Sequence, residues 1–343
     1  MMHHLSKYFA RFPASHLHTI SRNLVPTHEY DRHEYADIFR STMATPDQEI
    51  DSTIKEWKSC FRHDLFQGKV ALVTGGGTGI GRAITTELAG LGCTVIIASR
   101  DNSKCQQAAS EINEAIKATT PRVFAGPSTS IRKEESIESL VSFVLKGFGS
   151  LDILVNNAGG QFVSPAEDVS RRGFSAVVET NLTGTFLVCR EAYSQYMKDH
   201  GGSIVNITLG NRNGMPYMVH SGAARAGVEN MTKTLCTEWI NSNVRINCVR
   251  PGIIWTDSGF ENYGPAGDMF IDRILPTIPA KRFGSAEEVS SAVVWLLSEG
   301  AAYVTGQSLA VCGGSSYTFL PLVEIEDTEH LPFYGTLPQK ARL

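Results

Sequence analysis

Between Lys69 and Val311, short apolar runs rich in β-branched residues alternate with longer segments carrying apolar residues at helical spacing. The runs are Val70–Thr74, Thr94–Ala98, Arg122–Ala125, Leu151–Asn156, Ser203–Thr208, Arg245–Val249 and Ser308–Val311. They are continuously apolar instead of alternating, the pattern of strands covered on both faces, as in a parallel sheet. The segments between them, such as the one bearing Ala83, Ile84 and Leu88 on one face, read as the covering helices. No Pro/Gly/Ser-rich linker interrupts the series. The pattern predicts one doubly wound α/β domain with a seven-stranded parallel sheet over residues 63–317. An extension over 1–62 and a tail over 318–343 flank it.

A strand followed by a glycine cradle adds chemistry to this frame. Thr74-Gly75-Gly76-Gly77-Thr78-Gly79-Ile80-Gly81 follows the first strand and opens the first helix. Gly75 permits a tight turn, Gly79 lets a pyrophosphate lie against the chain, and Gly81 lets helix pack on strand. The free N–H groups of the helix start then face the phosphates, so Gly75, Thr78, Gly79, Ile80 and Gly81 are expected to bind a dinucleotide in a Rossmann-type fold. The second strand ends at Ala98-Ser99-Arg100, where an NAD-preferring site would place an acid for the ribose 2′-hydroxyl. Arg100, with Ser99 as a neutral donor, suits a 2′-phosphate instead, although Asp101 stands next door. The expected cofactor is NADPH.

Composition excludes several other classes. The chain has 343 residues, is 42% hydrophobic and 19% charged, and carries a formal net charge of −4. Nucleic-acid binding would need a basic excess that is not there. No apolar run approaches the roughly 18 residues of a membrane span, so no stable membrane insertion is expected. The seven cysteines are scattered without a C-x-x-C pair, which suggests neither a zinc site nor a disulfide scaffold.

Both ends read as addresses. The first acidic residue is Glu29; before it come Lys7, Arg11, Arg22 and several serines. Such a start matches a mitochondrial transit peptide, and a disordered extension reads the same way. The chain finishes Ala341-Arg342-Leu343, a variant of the S-K-L signal read by the peroxisomal import receptor. Translation from Met43 would remove the front signal, which makes dual targeting a hypothesis, with the peroxisome as the main expectation.

From Lys69 to Tyr317 the residues resemble the short-chain dehydrogenase/reductase family. The cradle Thr74–Gly81 matches its cofactor loop, and Asn156-Asn157-Ala158-Gly159 matches its N-N-A-G turn. The resemblance implies that Asn157, Ala158 and Gly159 lie beside the adenine ribose. It also implies that the main chain of Asn181 holds a catalytic-site water, and that Pro251-Gly252 approaches the nicotinamide with Ile254 and Thr256 nearby. Ser130-Ile131 occupies the usual Asp-Val position near adenine. The family's Y-x(3)-K is missing. Aligned through Val228-Glu229-Asn230, Ser221 replaces the tyrosine and Arg225 the lysine, while Thr208 or its neighbour Leu209 takes the upstream serine's place. A serine is far too weak an acid to protonate a carbonyl oxygen, so ketone chemistry is disfavoured. Arg225 can hold the nicotinamide ribose, but it is no practical proton donor.

Reduction of a C=C bond conjugated to a thioester asks less of the protein: positioning, and hydrogen-bond donors for the enolate oxygen. Longer stretches, among them Gly159–Glu167, Glu179–Phe186, His220–Gly227 and Glu261–Gly264, resemble the family's peroxisomal trans-2-enoyl-CoA reductase branch. That implies an acyl-CoA thioester as substrate, with hydride to C3 and a proton to C2, and assembly as a homodimer or homotetramer through the helices of Asn181 and Arg225. The alternative is 2,4-dienoyl-CoA reduction, taken to require an acid at the far end of the diene, and the sequence offers none. A silent NADPH-binding sensor or scaffold is the alternative from another class.

Several donors remain open. Tyr217, read as one turn before Ser221, is either an oxyanion donor or a packing residue. His220 is either an enolate donor or proton source, or a histidine satisfied within the helix. Thr208 is either a donor or a helix cap. Gln161, Phe162 and Tyr263 are expected to line the acyl cleft. Arg171, Arg172, Arg212, Lys281 and Arg282 are candidates for the CoA phosphates, or plain surface charges.

Overall fold

The computed structural model describes residues 59–210, 214–256, 275–317 and 334–338. The expectations for the N-terminal address, Arg212, Tyr263 and Ala341-Arg342-Leu343 lie outside the described residues.

All seven expected strands form. They are β1 Val70–Thr74, β2 Thr94–Ala98, β3 Val123–Ala125, β4 Ile153–Asn156, β5 Gly202–Ile207, β6 Val244–Pro251 and β7 Ser308–Val311. They pair in parallel in the order β3-β2-β1-β4-β5-β6-β7. The central strands are apolar without alternation because each residue meets a core on one side or the other. Ala71 and Val73 join one buried cluster with α1 Gly79–Gly90, α2 Asn102–Ala115 and α7 Ala286–Leu297. Val70 and Leu72 join the opposite cluster with α3 Glu134–Phe148, α5 Gly184–Ala192 and α6 Val219–Glu238. The period of two in strand side chains divides one apolar run between two faces.

Strand order reverses between β1 and β4, so the chain leaves them in opposite directions and opens a crevice at their carboxyl ends. Thr74-Gly75 and Asn156-Asn157 flank that crevice. Short α4 Arg171–Val178 runs through a π-helical turn, Glu179–Thr183, into α5. Within the described residues no helix is long and apolar enough to cross a membrane, and all seven cysteines are free thiols.

The packed domain extends past the expected limits of 63 and 317. Ser59 donates to the buried Glu87 carboxylate of α1, and Phe61 packs on the first core. At the other end Leu337 enters a small core with Leu275, Ile278 and Phe283, and the Tyr334 hydroxyl also donates to Glu87. Glu287 of α7 lies under this returning segment. Burial pushes its carboxyl up from the ordinary range, against hydrogen bonds from Ser285 and the Thr336 backbone. Such a group folds best protonated, and its contribution declines as pH rises through its folded-state pKa. Glu287→Gln should therefore raise the unfolding midpoint at pH 7 and change it little at pH 4, as read by thermal melts at both.

Candidate active site

The cradle is built as its residue types demand. Gly75 and Gly79 hold φ of +66° and +51°, in the left-handed region that side chains avoid. The Asn157 amide donates to the carbonyls of Thr74 and Gly75 at 3.2 and 3.0 Å, tying the N-N-A-G turn to the loop. Thr78 occupies the N-cap of α1 without a side-chain cap bond, so the first N–H groups of the helix have no capping side chain. That is the donor set a pyrophosphate needs.

At the end of β2, Arg100 is exposed, and the Asp101 carboxylate is turned to the start of the next helix. The Asp101 carboxylate accepts from the Ser103 hydroxyl and the Lys104 N–H as the cap of α2, and these bonds hold its carboxyl below the usual range. The Ser99 hydroxyl donates to the Asp101 carbonyl and lies 3.2 Å from the Cys105 sulfur, so it serves the turn itself. The residues fit a nicotinamide dinucleotide whose pyrophosphate the cradle would hold.

Arg225, on α6, is 8% exposed and donates through Nη1 to the Ile207 carbonyl at 2.7 Å. Burial pushes its guanidinium down to about 10, and no carboxylate pairs with it among the described residues. It stays a cation at physiological pH. Its Nη2 sits so close to Gly159 that a Cβ there would overlap it, which gives this glycine a steric reason. Beside Arg225 lies a cluster of neutral groups. Asn181, within the π-helical turn and buried, clasps Gly160, accepting from its N–H and donating to its C=O, both at 2.9 Å. Ser221, fully buried, donates to Gln161 Oε1 at 2.7 Å and lies 3.5 Å from Asn181 Nδ2. At neutral pH none of these side chains releases a proton, but all can polarise an oxygen.

The other expected residues divide. His220 is buried; its Nδ1 accepts from the Ser221 N–H at 2.7 Å, which assigns the ring proton to Nε2. Among the described residues Nε2 has no hydrogen-bond partner, and the ring meets Phe162 edge-on at 4.2 Å between centroids. Tyr217 does not join the cluster. It is 59% exposed, its φ is +63°, and α6 begins only at Val219, so it does not lie one helical turn before Ser221. Its backbone carbonyl accepts from the Ser164 N–H instead. Thr208 caps no helix: its hydroxyl donates to Val249 O at 3.3 Å and reaches Glu229 at 3.4 Å. Ile131 lies against the start of α5, where its carbonyl closely approaches Gly184, and the Ser130 N–H donates to the Ser136 hydroxyl. Pro251 and Gly252 close β6, with the Gly252 N–H on Val311 O and Ile254 bridged to Gly284; Thr256 follows. Arg282 is engaged bidentately by Glu288 at 2.7 and 2.8 Å, an engagement that removes it from the CoA-phosphate candidates. Arg171 and Arg172 stay exposed at the start of α4.

Two parts of this arrangement were absent from the sequence expectations: the Gly160 backbone as the partner of Asn181, and the Ile207 carbonyl as the partner of Arg225. Backbone groups carry no residue signature.

The family model described as Enoyl-(Acyl carrier protein) reductase matches residues 75–316. The chain belongs to the short-chain dehydrogenase/reductase family. A curated relative of this family member is the peroxisomal 2,4-dienoyl-CoA reductase [(3E)-enoyl-CoA-producing] of Danio rerio. It is 40% identical over 276 residues, covering 79% of this chain and 89% of the relative. The Saccharomyces cerevisiae protein of that description is 34% identical over 254 residues, 74% of this chain and 86% of its own. Among solved structures, a citronellol catabolism dehydrogenase of Pseudomonas aeruginosa shares 42% identity at a TM-score of 0.66, covering 76% of this chain and 100% of that one. As a member, the chain is an oxidoreductase with the family's dinucleotide-binding fold.

Proposed function

We propose that this chain is an NADPH-dependent reductase of trans-2-enoyl-CoA thioesters, giving the saturated acyl-CoA. The observation that carries the reading is the cluster of neutral groups, Gln161, Ser221 and Asn181, set beside a buried cation that no carboxylate pairs among the described residues, where a carbonyl reductase needs an acid. When bound, the dihydronicotinamide supplies the hydride. As hydride reaches C3, negative charge develops on the thioester oxygen, and the protein's task is to stabilise it there. The Gln161 amide donates to that oxygen, and Arg225 supplies positive potential that burial leaves poorly screened. C2 then takes its proton from water, a stronger acid than the α-C–H bond that forms, and the hydroxide left behind is neutralised by the solvent.

A second reading, 2,4-dienoyl-CoA as substrate, is favoured by the names of the relatives, which support it more directly than the first. Their printed product is a (3E)-enoyl-CoA. Keeping a double bond between C3 and C4 puts the new hydrogens on C2 and C5. The far end of the diene therefore takes hydride, and the expected need for an acid there falls away. Both substrates put the same charge on the same oxygen; they differ in which carbon lies over the nicotinamide. Product analysis separates them: incubation with each thioester and NADPH should give saturated acyl-CoA from the monoene at the higher kcat/KM. A strong preference for the diene, with 3-enoyl product, moves the assignment to the second reading.

The relatives' names also support a peroxisomal setting over a mitochondrial one. Arg100 selects NADPH over NADH through charge-assisted hydrogen bonds, each contributing about 1.5–3 kcal/mol. Arg100→Glu should lower the NADPH-to-NADH ratio of kcat/KM by about tenfold to a hundredfold or more, measured by initial rates with the two cofactors.

A further inference from the structure

His220 carries a polar group for which packing has no use. The side chain is fully buried on α6, and its Nδ1 accepts from the Ser221 N–H at 2.7 Å, which leaves the ring proton on Nε2. Nδ1 is thus committed to the helix, and Nε2, at the far end of the ring, points away from the backbone that carries it. Among the described residues Nε2 meets no hydrogen-bond partner. Burying an N–H in this way costs about 1–3 kcal/mol. An apolar side chain would fill the same space without that cost, so a histidine here calls for another reason.

The half-exposed side chain that packs on the imidazole is Phe162. Its ring meets the imidazole edge-on at 4.2 Å between centroids and reaches α4, where a Cβ on Gly173 would come within 3.0 Å of its Cζ. Phe162 nonetheless keeps 38% of its surface exposed, so its ring can turn into water without disturbing the core. An aromatic ring is a weaker acceptor than a carbonyl oxygen. The place suits the reaction as well. Phe162 follows Gln161 in the chain that leaves the carboxyl end of β4, and His220 precedes Ser221, which bonds Gln161 at 2.7 Å. The reacting end of an enoyl thioester has one good acceptor, its carbonyl oxygen.

We propose that His220 is a catalytic residue: its Nε2–H donates to the thioester oxygen, covered by Phe162 in the free protein and uncovered when the acyl chain turns that ring aside. The proposal rests on the reading of the protein as an enoyl thioester reductase. The imidazole transfers no proton. Its hydrogen bond strengthens as charge gathers on the oxygen, so it acts on kcat more than on KM.

Variants of the full chain test the donor. Asparagine keeps an acceptor at the place of Nδ1 and has no atom at the place of Nε2, whereas glutamine reaches the place of Nε2 with an amide N–H. His220→Asn should lower kcat on a trans-2-enoyl-CoA about tenfold to a hundredfold, with KM and NADPH affinity little changed. His220→Gln should restore most of the loss. Equal losses in the two variants, or loss of NADPH binding in either, would overturn the donor role. A second readout needs no turnover. In protein labelled with 15N on histidine, the His220 Nε2–H signal, assigned by its absence from His220→Asn, should be visible because a covered N–H exchanges slowly with water. It should broaden in Phe162→Ala, and in the wild type it should move downfield when a saturated acyl-CoA binds with NADP+. A signal already lost to exchange in the free wild type, or left in place by the bound acyl-CoA, contradicts the proposal. If the wild type reduces no unsaturated thioester, the functional reading fails; turnover that His220→Asn leaves intact removes the role of His220 alone.

Discussion

Replacing Arg225 by methionine should abolish useful turnover and make the protein more stable. The guanidinium is 8% exposed, its bond to the Ile207 carbonyl satisfies one corner, and no carboxylate neutralises it among the described residues. Burying a cation this way costs the fold, and an apolar side chain of similar length removes the cost; comparable replacements stabilise by about 1–4 kcal/mol. The midpoint should rise by about 2–4 °C for each kcal/mol gained in a domain of this size. Catalysis should move the other way. Loss of the charge beside the developing oxyanion should lower kcat/KM by about 10²–10³-fold. Arg225→Lys should fall between, because an ammonium restores charge without the planar fork that spans Ile207 and the Gly159 turn. Melting curves and initial rates on the same preparations read both effects. A variant that loses activity and stability together would show Arg225 to be a structural strut.

Gln161→Ala should give the second largest loss. Removing one preorganised donor from an oxyanion site lowers kcat by about 10²–10³-fold, and KM should change little because the bond strengthens mainly as charge develops. The residue is exposed, so its loss leaves no cavity, but it takes the acceptor from the buried Ser221 hydroxyl, and the melting temperature should fall by the few degrees that about 1–3 kcal/mol removes. Gln161→Glu is the sharper variant: its carboxylate can still accept from Ser221, but it offers the oxygen a negative charge. It should be at least as inactive as alanine, as steady-state rates at saturating NADPH will show.

The parts of the molecule legible in the sequence are those where residue type alone carries the constraint. The seven strands were legible because a strand buried on both faces must be continuously apolar, and three of the expected ranges coincide with β1, β2 and β7. β6 runs longer than expected, to Pro251, because it lies between β5 and β7 and pairing continues past the apolar run through Arg250. The cradle was legible because left-handed backbone demands glycine at Gly75 and Gly79. The catalytic cluster was legible only by residue. That Ser221 meets Gln161, sixty positions away, depends on how the loop after β4 packs on α6. The π-helical turn at Asn181 was hidden because it perturbs a helical period too briefly to register in apolar spacing. Tyr217 shows the opposite error. Its expected place one turn before Ser221 required one helix to hold both, and the left-handed residue at 217, ahead of the helix start at Val219, ends that premise.

The most direct test of the site's chemistry is NADPH oxidation by the purified protein with a medium-chain trans-2-enoyl-CoA and with the 3-ketoacyl-CoA of equal length. A site of neutral donors should reduce the C=C bond and leave the ketone untouched. Turnover of the ketone at a similar or greater rate would mean that an acid reaches the carbonyl oxygen and that Ser221 has not displaced the family's usual chemistry. NADPH binding with neither substrate consumed would contradict the enzyme reading itself.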